Sequence, residues 1–120
     1  MTTPQKSIAV IRRGDLLKAE ADRHSRIVIN ADNIKIGQLV LHPERKQYLV
    51  ALSNSERGKV LVQPHNCTIN LDFVAETEIT AKQQGSKALT IDELKKQGDT
   101  YGIKYIGTPY KESGEVSASL

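Results

Sequence analysis

Short alternating runs of apolar and polar residues dominate the middle of this chain. Residues 35–73 contain four such runs, separated by breaks rich in turn-forming residues. The clearest run extends from Cys67 to Phe73 and has the two-residue repeat of a half-buried strand. The pattern therefore predicts a small antiparallel β-sheet or barrel over about residues 26–80.

One helix is predicted on the N-terminal side of this sheet. A short aliphatic run at residues 7–11 indicates a strand, and Asp15 follows it after a break at Gly14. An Asp side chain can accept hydrogen bonds from the free N–H groups of a first helical turn. Leu, Ala, Lys and Glu then favour a helix up to about His24, so residues 7–24 are expected to form a strand followed by a helix.

A second helix is predicted on the C-terminal side. Thr90 and Glu93 have the spacing of a capping box, in which each side chain satisfies a free backbone donor of the other residue. This predicts a helix over residues 90–101. Residues 74–80 are expected to continue the sheet as an edge strand, and a small strand is expected at residues 104–106.

The chain is interpreted as a single β-rich α+β domain over residues 1–106. Its 120 residues fall within the usual size of one domain and allow one modest hydrophobic core. From residue 107 onward apolar residues are sparse and are separated by Gly, Pro and Ser. This composition predicts a flexible tail at residues 107–120.

The composition favours a reducing, cytoplasmic compartment. Cys67 is the only cysteine, so no intramolecular disulfide can form. Residues 2–7 are polar, and no apolar run approaches the roughly 18 residues of a membrane span. Neither an export signal nor a membrane-spanning segment is therefore expected.

Basic residues are concentrated in the first half of the chain. The formal net charge is +3, but residues 1–60 contain 11 basic and 6 acidic side chains, whereas residues 61–120 contain 6 and 8. One group of basic residues surrounds the first predicted helix, and a second group lies in two predicted turns at the rim of the sheet or barrel. We expect both groups to contact phosphates of a nucleic acid. The candidate residues are Arg12, Arg13, Arg23, Arg26, Arg45, Lys46, Arg57 and Lys59.

Other chemistry has less support in the sequence. His65 and Cys67 would share one face of a strand, but the chain lacks the CxxC and HxxxH spacings of zinc sites, so no metal is expected. The same two residues could form a nucleophile pair, but no third group that would orient the imidazole is identifiable. No glycine loop of the phosphate-binding type is present. The expectation is a non-enzymatic protein without a cofactor, in which Cys67 is a small buried side chain.

The segment at residues 35–62 resembles the small barrels of the Tudor-like and KOW-like type. It shares with them a basic residue, an aliphatic residue and a glycine before a strand, Lys35-Ile36-Gly37, and a glycine before a later strand, Gly58. It departs from them in its first turn, where Pro43-Glu44-Arg45 replaces a glycine. It also lacks the aromatic cage that binds methyl-lysine, so that activity is not implied. The resemblance implies a docking module for RNA, DNA or a protein.

Two functional hypotheses follow from these patterns. The leading one is an accessory or regulatory protein that binds DNA or RNA through phosphate contacts of its basic turns. The alternative is an adaptor or inhibitor that docks on a larger enzyme or complex, of the kind that phages and mobile elements encode. Small size, the lack of catalytic groups and an exposed sheet edge support the alternative.

Overall fold

Nine short strands and three short α-helices make up residues 11–111, the part of the chain that the computed structural model describes. The helices are α1 (Arg13–Leu16), α2 (Glu76–Thr80) and α3 (Ile91–Thr100). The strands are β1 (Leu17–Glu20), β2 (Ile27–Asn30), β3 (Leu39–His42), β4 (Gln47–Val50), β5 (Lys59–Val62), β6 (Cys67–Asn70), β7 (Gln83–Gln84), β8 (Lys87–Ala88) and β9 (Ile103–Ile106). Short 3-10 turns lie before β2, at Arg23–Ser25, and after β6, at Leu71–Phe73.

The strands form several small sheets rather than one closed barrel. β6 is the central strand of a three-stranded sheet, with β1 antiparallel on one side and β9 parallel on the other. β2 pairs with β5, β3 with β4 and β7 with β8, each antiparallel. Isolated backbone bonds, such as Leu52 N–H to the Leu61 carbonyl at 2.8 Å, connect neighbouring sheets without extending a ladder. The α+β class is confirmed, but the expected single barrel flanked by two helices is not.

One hydrophobic core lies between these sheets. Val60 and Val62 of β5 are fully buried, and Ile69 of β6 and Ile103 of β9 are at most 3% exposed. Their neighbours along each strand face outward, so the alternation read from the sequence corresponds to an inner and an outer face. Burial of each such side chain contributes about 1.5–3 kcal/mol. The core therefore holds together sheets that share few backbone bonds.

Several predicted elements are confirmed. The alternation from residue 67 continues through β6, after which the chain turns at Leu71. Thr90 and Glu93 form the predicted capping box: Glu93 N–H donates to Thr90 Oγ1 at 3.1 Å, and Thr90 N–H donates to Glu93 Oε1 at 3.0 Å. The small strand predicted at residues 104–106 is β9.

The predicted helix after Asp15 is wrong beyond Leu16. α1 has only four residues, and the chain continues as β1, in which Leu17 pairs with Ile69 of β6. A helix here would have presented a thin apolar stripe to the core, whereas β1 forms a backbone ladder with β6. Pairing with a strand so distant in sequence overrides the local helix propensity.

The predicted edge strand at residues 74–80 is also wrong, because most of it forms α2. Ile79 of this helix is fully buried, and the Glu78 carboxylate accepts the backbone N–H of Leu39 at 2.9 Å. The glutamates that suggested a protected sheet edge lie instead in the first turn of a helix. Acidic side chains are favourable there, because they complement the positive end of the helix dipole.

Only Ile11 of the predicted first strand and residues 107–111 of the predicted tail fall within the described residues. The chain at Tyr110 is bound to the domain, because its backbone N–H donates to the Val74 carbonyl at 3.0 Å. The other residues of both predicted segments lie outside the described part of the chain.

Gly98 is a point of very close approach between α3 and β9. A methyl group added at Gly98 would lie 2.6 Å from the Tyr105 ring and 2.8 Å from the Ile103 carbonyl oxygen. Tyr105 is only 8% exposed and the Ile103 oxygen belongs to the backbone, so neither can easily move away. The absence of a side chain at Gly98 allows α3 to cover the three-stranded sheet.

We expect Gly98→Ala to lower the free energy of unfolding by about 1–3 kcal/mol, the usual cost of overpacking. This loss should appear even though alanine is favoured over glycine in helices by about 1 kcal/mol. Urea unfolding measures the change. Gly14→Ala in α1 is the matched control, because a methyl group there meets no atom within 4 Å. Equal stability of the two variants would contradict the close contact.

Candidate nucleic-acid interface

Three of the predicted cations line one groove. Arg13, Arg23 and Arg26, together with Lys18, surround a surface cavity of about 410 Å³ beside β1. The only carboxylate among its described lining residues is that of Glu20. We call this cavity the basic groove. Its lining charge is strongly positive although the whole chain carries a net charge of only +3.

The Glu20 carboxylate is bound to Arg26 within the groove. Arg26 Nε donates to Glu20 Oε2 at 3.0 Å, and Arg26 Nη2 donates to Glu20 Oε1. Gln63 Nε2 also donates to Glu20 Oε2, at 2.8 Å. These donors, the Arg26 guanidinium above all, hold the pKa of Glu20 below its ordinary value. The one negative charge in the groove is therefore already paired.

The other three cations keep free donors. Arg13 Nε donates to the Leu52 carbonyl at 3.1 Å, and its two terminal nitrogens donate to no residue in positions 11–111. Lys18 Nζ donates to the Gly14 carbonyl at 3.1 Å and stays exposed. Arg23 is exposed, and its guanidinium donates to no residue in the described range. Each of these three side chains can therefore donate hydrogen bonds to an anion bound along the groove.

Arg57 and Lys59 lie at the opposite end of the β2–β5 ribbon from Arg26. Backbone bonds of 2.9 and 3.0 Å in both directions between Glu56 and Lys59 close a tight turn. Arg57 and Gly58 have φ values of 54° and 75°, as in a type I′ turn, so Arg57 occupies the tip. With a strand rise of roughly 3.3 Å per residue, this turn is about 13 Å from the basic groove.

Arg45 has a structural role in this fold. Its guanidinium lies 4.2 Å from the centroid of the Tyr101 ring, and Nη1 donates to the Pro64 carbonyl at 3.0 Å. It thereby fastens the β3–β4 turn to the end of α3. Lys46, in the same turn, is exposed. Arg12 is exposed next to α1, and none of these three residues is among the lining residues of the basic groove.

Lys18 belongs to the group of basic residues around the first predicted helix, although it is not among the eight candidate residues. In the predicted helix it was one exposed cation among several. In the structure it occupies a bulge of β1, between Leu17 and Ala19, and it lines the basic groove together with Arg13.

Cys67 is buried and poorly suited to nucleophilic chemistry. It is 4% exposed, and burial raises the pKa of its thiol to about 12. The His65 ring is bound to a different neighbour, because its Nδ1 lies 3.3 Å from the Asn66 side-chain Nδ2. Within residues 11–111 no three His, Cys, Asp or Glu side chains are grouped closely enough to hold a metal ion. No helix in this range has the length and apolar character needed to cross a membrane.

Comparison of the chain with known proteins finds no matching family model, no matching curated protein and no matching solved structure. The assignment of function therefore depends on the geometry and charge of the molecule itself.

We expect Cys67 to be inert toward a thiol reagent at pH 8 in the folded protein and reactive in urea. The raised pKa also predicts a pH effect, because the unfolded thiol loses its proton first as the pH rises past about 9, the ordinary value. Stability should therefore be unaffected by this group below pH 9 and fall above it. Reagent consumption and urea unfolding measure the two effects. Equally rapid labelling with and without urea would disprove the burial of the thiol.

Proposed function

We propose that this chain is a non-enzymatic, cytoplasmic nucleic-acid-binding protein that holds a phosphate backbone in the basic groove. The observation that carries the proposal is the grouping of Arg13, Lys18, Arg23 and Arg26 around one cavity with a single, paired carboxylate. Cations grouped in this way release the counterions of a nucleic acid when they bind its phosphates, and that release is favourable at low salt.

The residues of the groove have different tasks in this proposal. Arg26 donates twice to Glu20, so it supplies a fixed charge and keeps the carboxylate away from the phosphate. Arg13 presents its terminal nitrogens, while Lys18 and Arg23 are exposed and can follow the backbone. Guanidinium groups are suited to phosphate because two parallel N–H donors match two oxygens.

Arg57 and Lys59 would add contacts at the far end of the β2–β5 ribbon. The two cationic positions are about 13 Å apart along the strands. Val28 and Leu61, which face each other in the register of this ribbon, lie between them, and Val28 is 57% exposed. This outer face offers a surface with cations at both ends. It offers no aromatic side chain for base stacking in the described strands, so binding should show little sequence preference.

Reversal of charge in the groove provides the test. We expect Lys18→Glu combined with Arg23→Glu to weaken binding to a nucleic acid by at least about 100-fold at low salt. One pair of unit charges at 4 Å interacts by about 1 kcal/mol in water, and the double reversal changes the electrostatic part of the binding free energy by several such interactions. Fluorescence anisotropy titrations measure the affinity.

The matched control carries the same change of net charge elsewhere. Lys87→Glu combined with Lys96→Glu alters exposed residues of β8 and α3 that do not line the groove. This control should bind almost as tightly as the unmodified chain. An equal loss of affinity in both double variants would show that the net charge of the chain, and not the groove, determines binding. Failure of the unmodified chain to bind any DNA or RNA below about 100 micromolar, the weak end of non-specific affinity, would refute the proposal.

A second candidate function is docking on a larger protein as an adaptor or inhibitor. The observation that favours it is Leu41 of β3, which is 43% exposed on a strand that pairs only with β4 within the described range. Exposed apolar residues on an open strand edge are typical of β-strand addition by a partner. We expect Leu41→Lys to abolish capture of a stoichiometric partner while nucleic-acid binding is unchanged. Capture of the partner by both the unmodified chain and the Leu41→Lys variant, or by neither of them, would count against this candidate.

A further inference from the structure

The outer edge of β2 carries backbone groups that have no hydrogen-bond partner among the described residues. Ala31 N–H donates to the Gly58 carbonyl at 2.8 Å, so in this antiparallel register the odd-numbered residues bond to β5. The N–H and C=O groups of Val28 and Asn30 therefore point away from β5. No backbone or side-chain group of residues 11–111 bonds to them.

The far side of β5, by contrast, is occupied. Leu61 is opposite Val28 in the register, and its outward carbonyl accepts the Leu52 N–H at 2.8 Å. The Leu61 N–H donates to Ser53 Oγ at 3.0 Å. Within the described residues, the β2–β5 ribbon thus has one covered edge, at β5, and one open edge, at β2.

β2 has none of the features that usually protect an open edge from pairing. Such edges commonly carry charged side chains, a proline or a bulge. Ile27–Asn30 contains neither a charge nor a proline, and its pairing with β5 has no register shift. Val28 is 57% exposed. The alternating donors and acceptors of this edge match another extended polypeptide, because a helix bonds its own backbone groups and a phosphate offers only acceptors.

β2 complements a second copy of itself when the two strands run antiparallel. In the register centred on Ile29, Val28 lies opposite Asn30 of the second copy, and Asn30 lies opposite Val28 of the second copy. Each copy supplies two donors and two acceptors, so four hydrogen bonds join the strands. On the inner face, the half-buried Ile27 lies opposite the half-buried Ala31 of the second copy. This register uses every open group of the β2 edge.

The charges that flank β2 also match in this register. Arg26 precedes the strand and Asp32 is the second residue after it, so Arg26 lies opposite Asp32 of the second copy at both ends. Asp32 is exposed and forms no ion pair within the described range. Arg26 uses Nε and Nη2 for Glu20, which leaves Nη1 for the second carboxylate. A shift of the register by one residue would separate these charges.

We propose that this chain forms a symmetric dimer in which β2 pairs antiparallel with β2 of a second copy. The two ribbons become one four-stranded sheet in the order β5–β2–β2–β5, with the two-fold axis at Ile29. The interface is isologous, because both copies contribute the same residues. The inference goes beyond the proposed function and does not depend on it, since Arg13, Lys18 and Arg23 keep their free donors in each copy.

Sedimentation equilibrium of the unmodified chain over about 5–500 micromolar tests the dimer. A pairing of two short strands buries less than the roughly 800 Å² per partner of standard interfaces, so the dimer should dissociate at the low end of this range. Val28→Pro removes the outward N–H of each copy and should raise the dissociation constant of the dimer by at least about tenfold. Proline is tolerated where an edge N–H faces solvent, and far-UV circular dichroism checks that this variant is folded.

Asp32→Lys leaves the backbone of β2 unchanged and places two cations opposite each other at both ends of the pairing. It should also raise the dissociation constant of the dimer by at least about tenfold. The matched control is Asp99→Lys, which makes the same change of net charge at an exposed residue near the end of α3. This control should dimerise like the unmodified chain.

The outcomes decide the dimer independently of nucleic-acid binding. A monomer at every concentration would overturn the inference and leave the β2 edge to a strand of another protein. A dimer whose dissociation constant is unchanged in Asp32→Lys, or equally raised in Asp99→Lys, would also overturn it, even where Val28→Pro does not fold. A dimer weakened by Asp32→Lys and unchanged in Asp99→Lys would support pairing through β2.

Discussion

The hydrogen-bonded group around the Glu20 carboxylate joins the two sheets that form the candidate interface. Glu20 ends β1, Arg26 precedes β2 and Gln63 follows β5, so one carboxylate connects chain segments of two separate sheets. Gln63 is 3% exposed and also donates to the Asp22 carbonyl at 3.2 Å. Because a charged acceptor strengthens such bonds, this group ties the ends of the two sheets together and fixes the direction of the Arg26 side chain. The place of Arg26 in the basic groove, and the pairing of the one carboxylate that lines it among the described residues, both depend on this group.

This arrangement divides the basic residues into those that build the fold and those that remain available. Arg26 and Arg45 are held by partners within the domain, Arg26 by Glu20 and Arg45 by Tyr101 and the Pro64 carbonyl. Arg23 and Lys18 remain at the surface with exposed charge. Charge asymmetry along the sequence therefore does not identify the interface by itself, because some basic side chains connect parts of the fold while others remain at the surface.

Most individual strands could be predicted from the sequence, but their pairing into sheets could not. The four runs in residues 35–73 correspond to β3, β4, β5 and β6, and the spacing of Thr90 and Glu93 identified α3, because these signals are local. The early helix was wrong because Leu17 gains a partner 52 residues away in Ile69, which no local pattern reveals. The same pairing creates the bulge at Lys18. The groove was thus only partly predictable: Arg13, Arg23 and Arg26 were expected to bind phosphates, but tertiary structure decides that they line one cavity with Lys18 and that Arg12 does not.

The central position of β6 has a consequence for the order of folding. Its partners β1 and β9 lie far from it in sequence on either side, and both ladders require closure of long loops. Non-local pairings of this kind form late and slowly compared with hairpins such as β3–β4. During synthesis the ladder of β6 with β9 cannot form until residue 106 has left the ribosome. The three-stranded sheet therefore stays incomplete until the last of its strands has been synthesised.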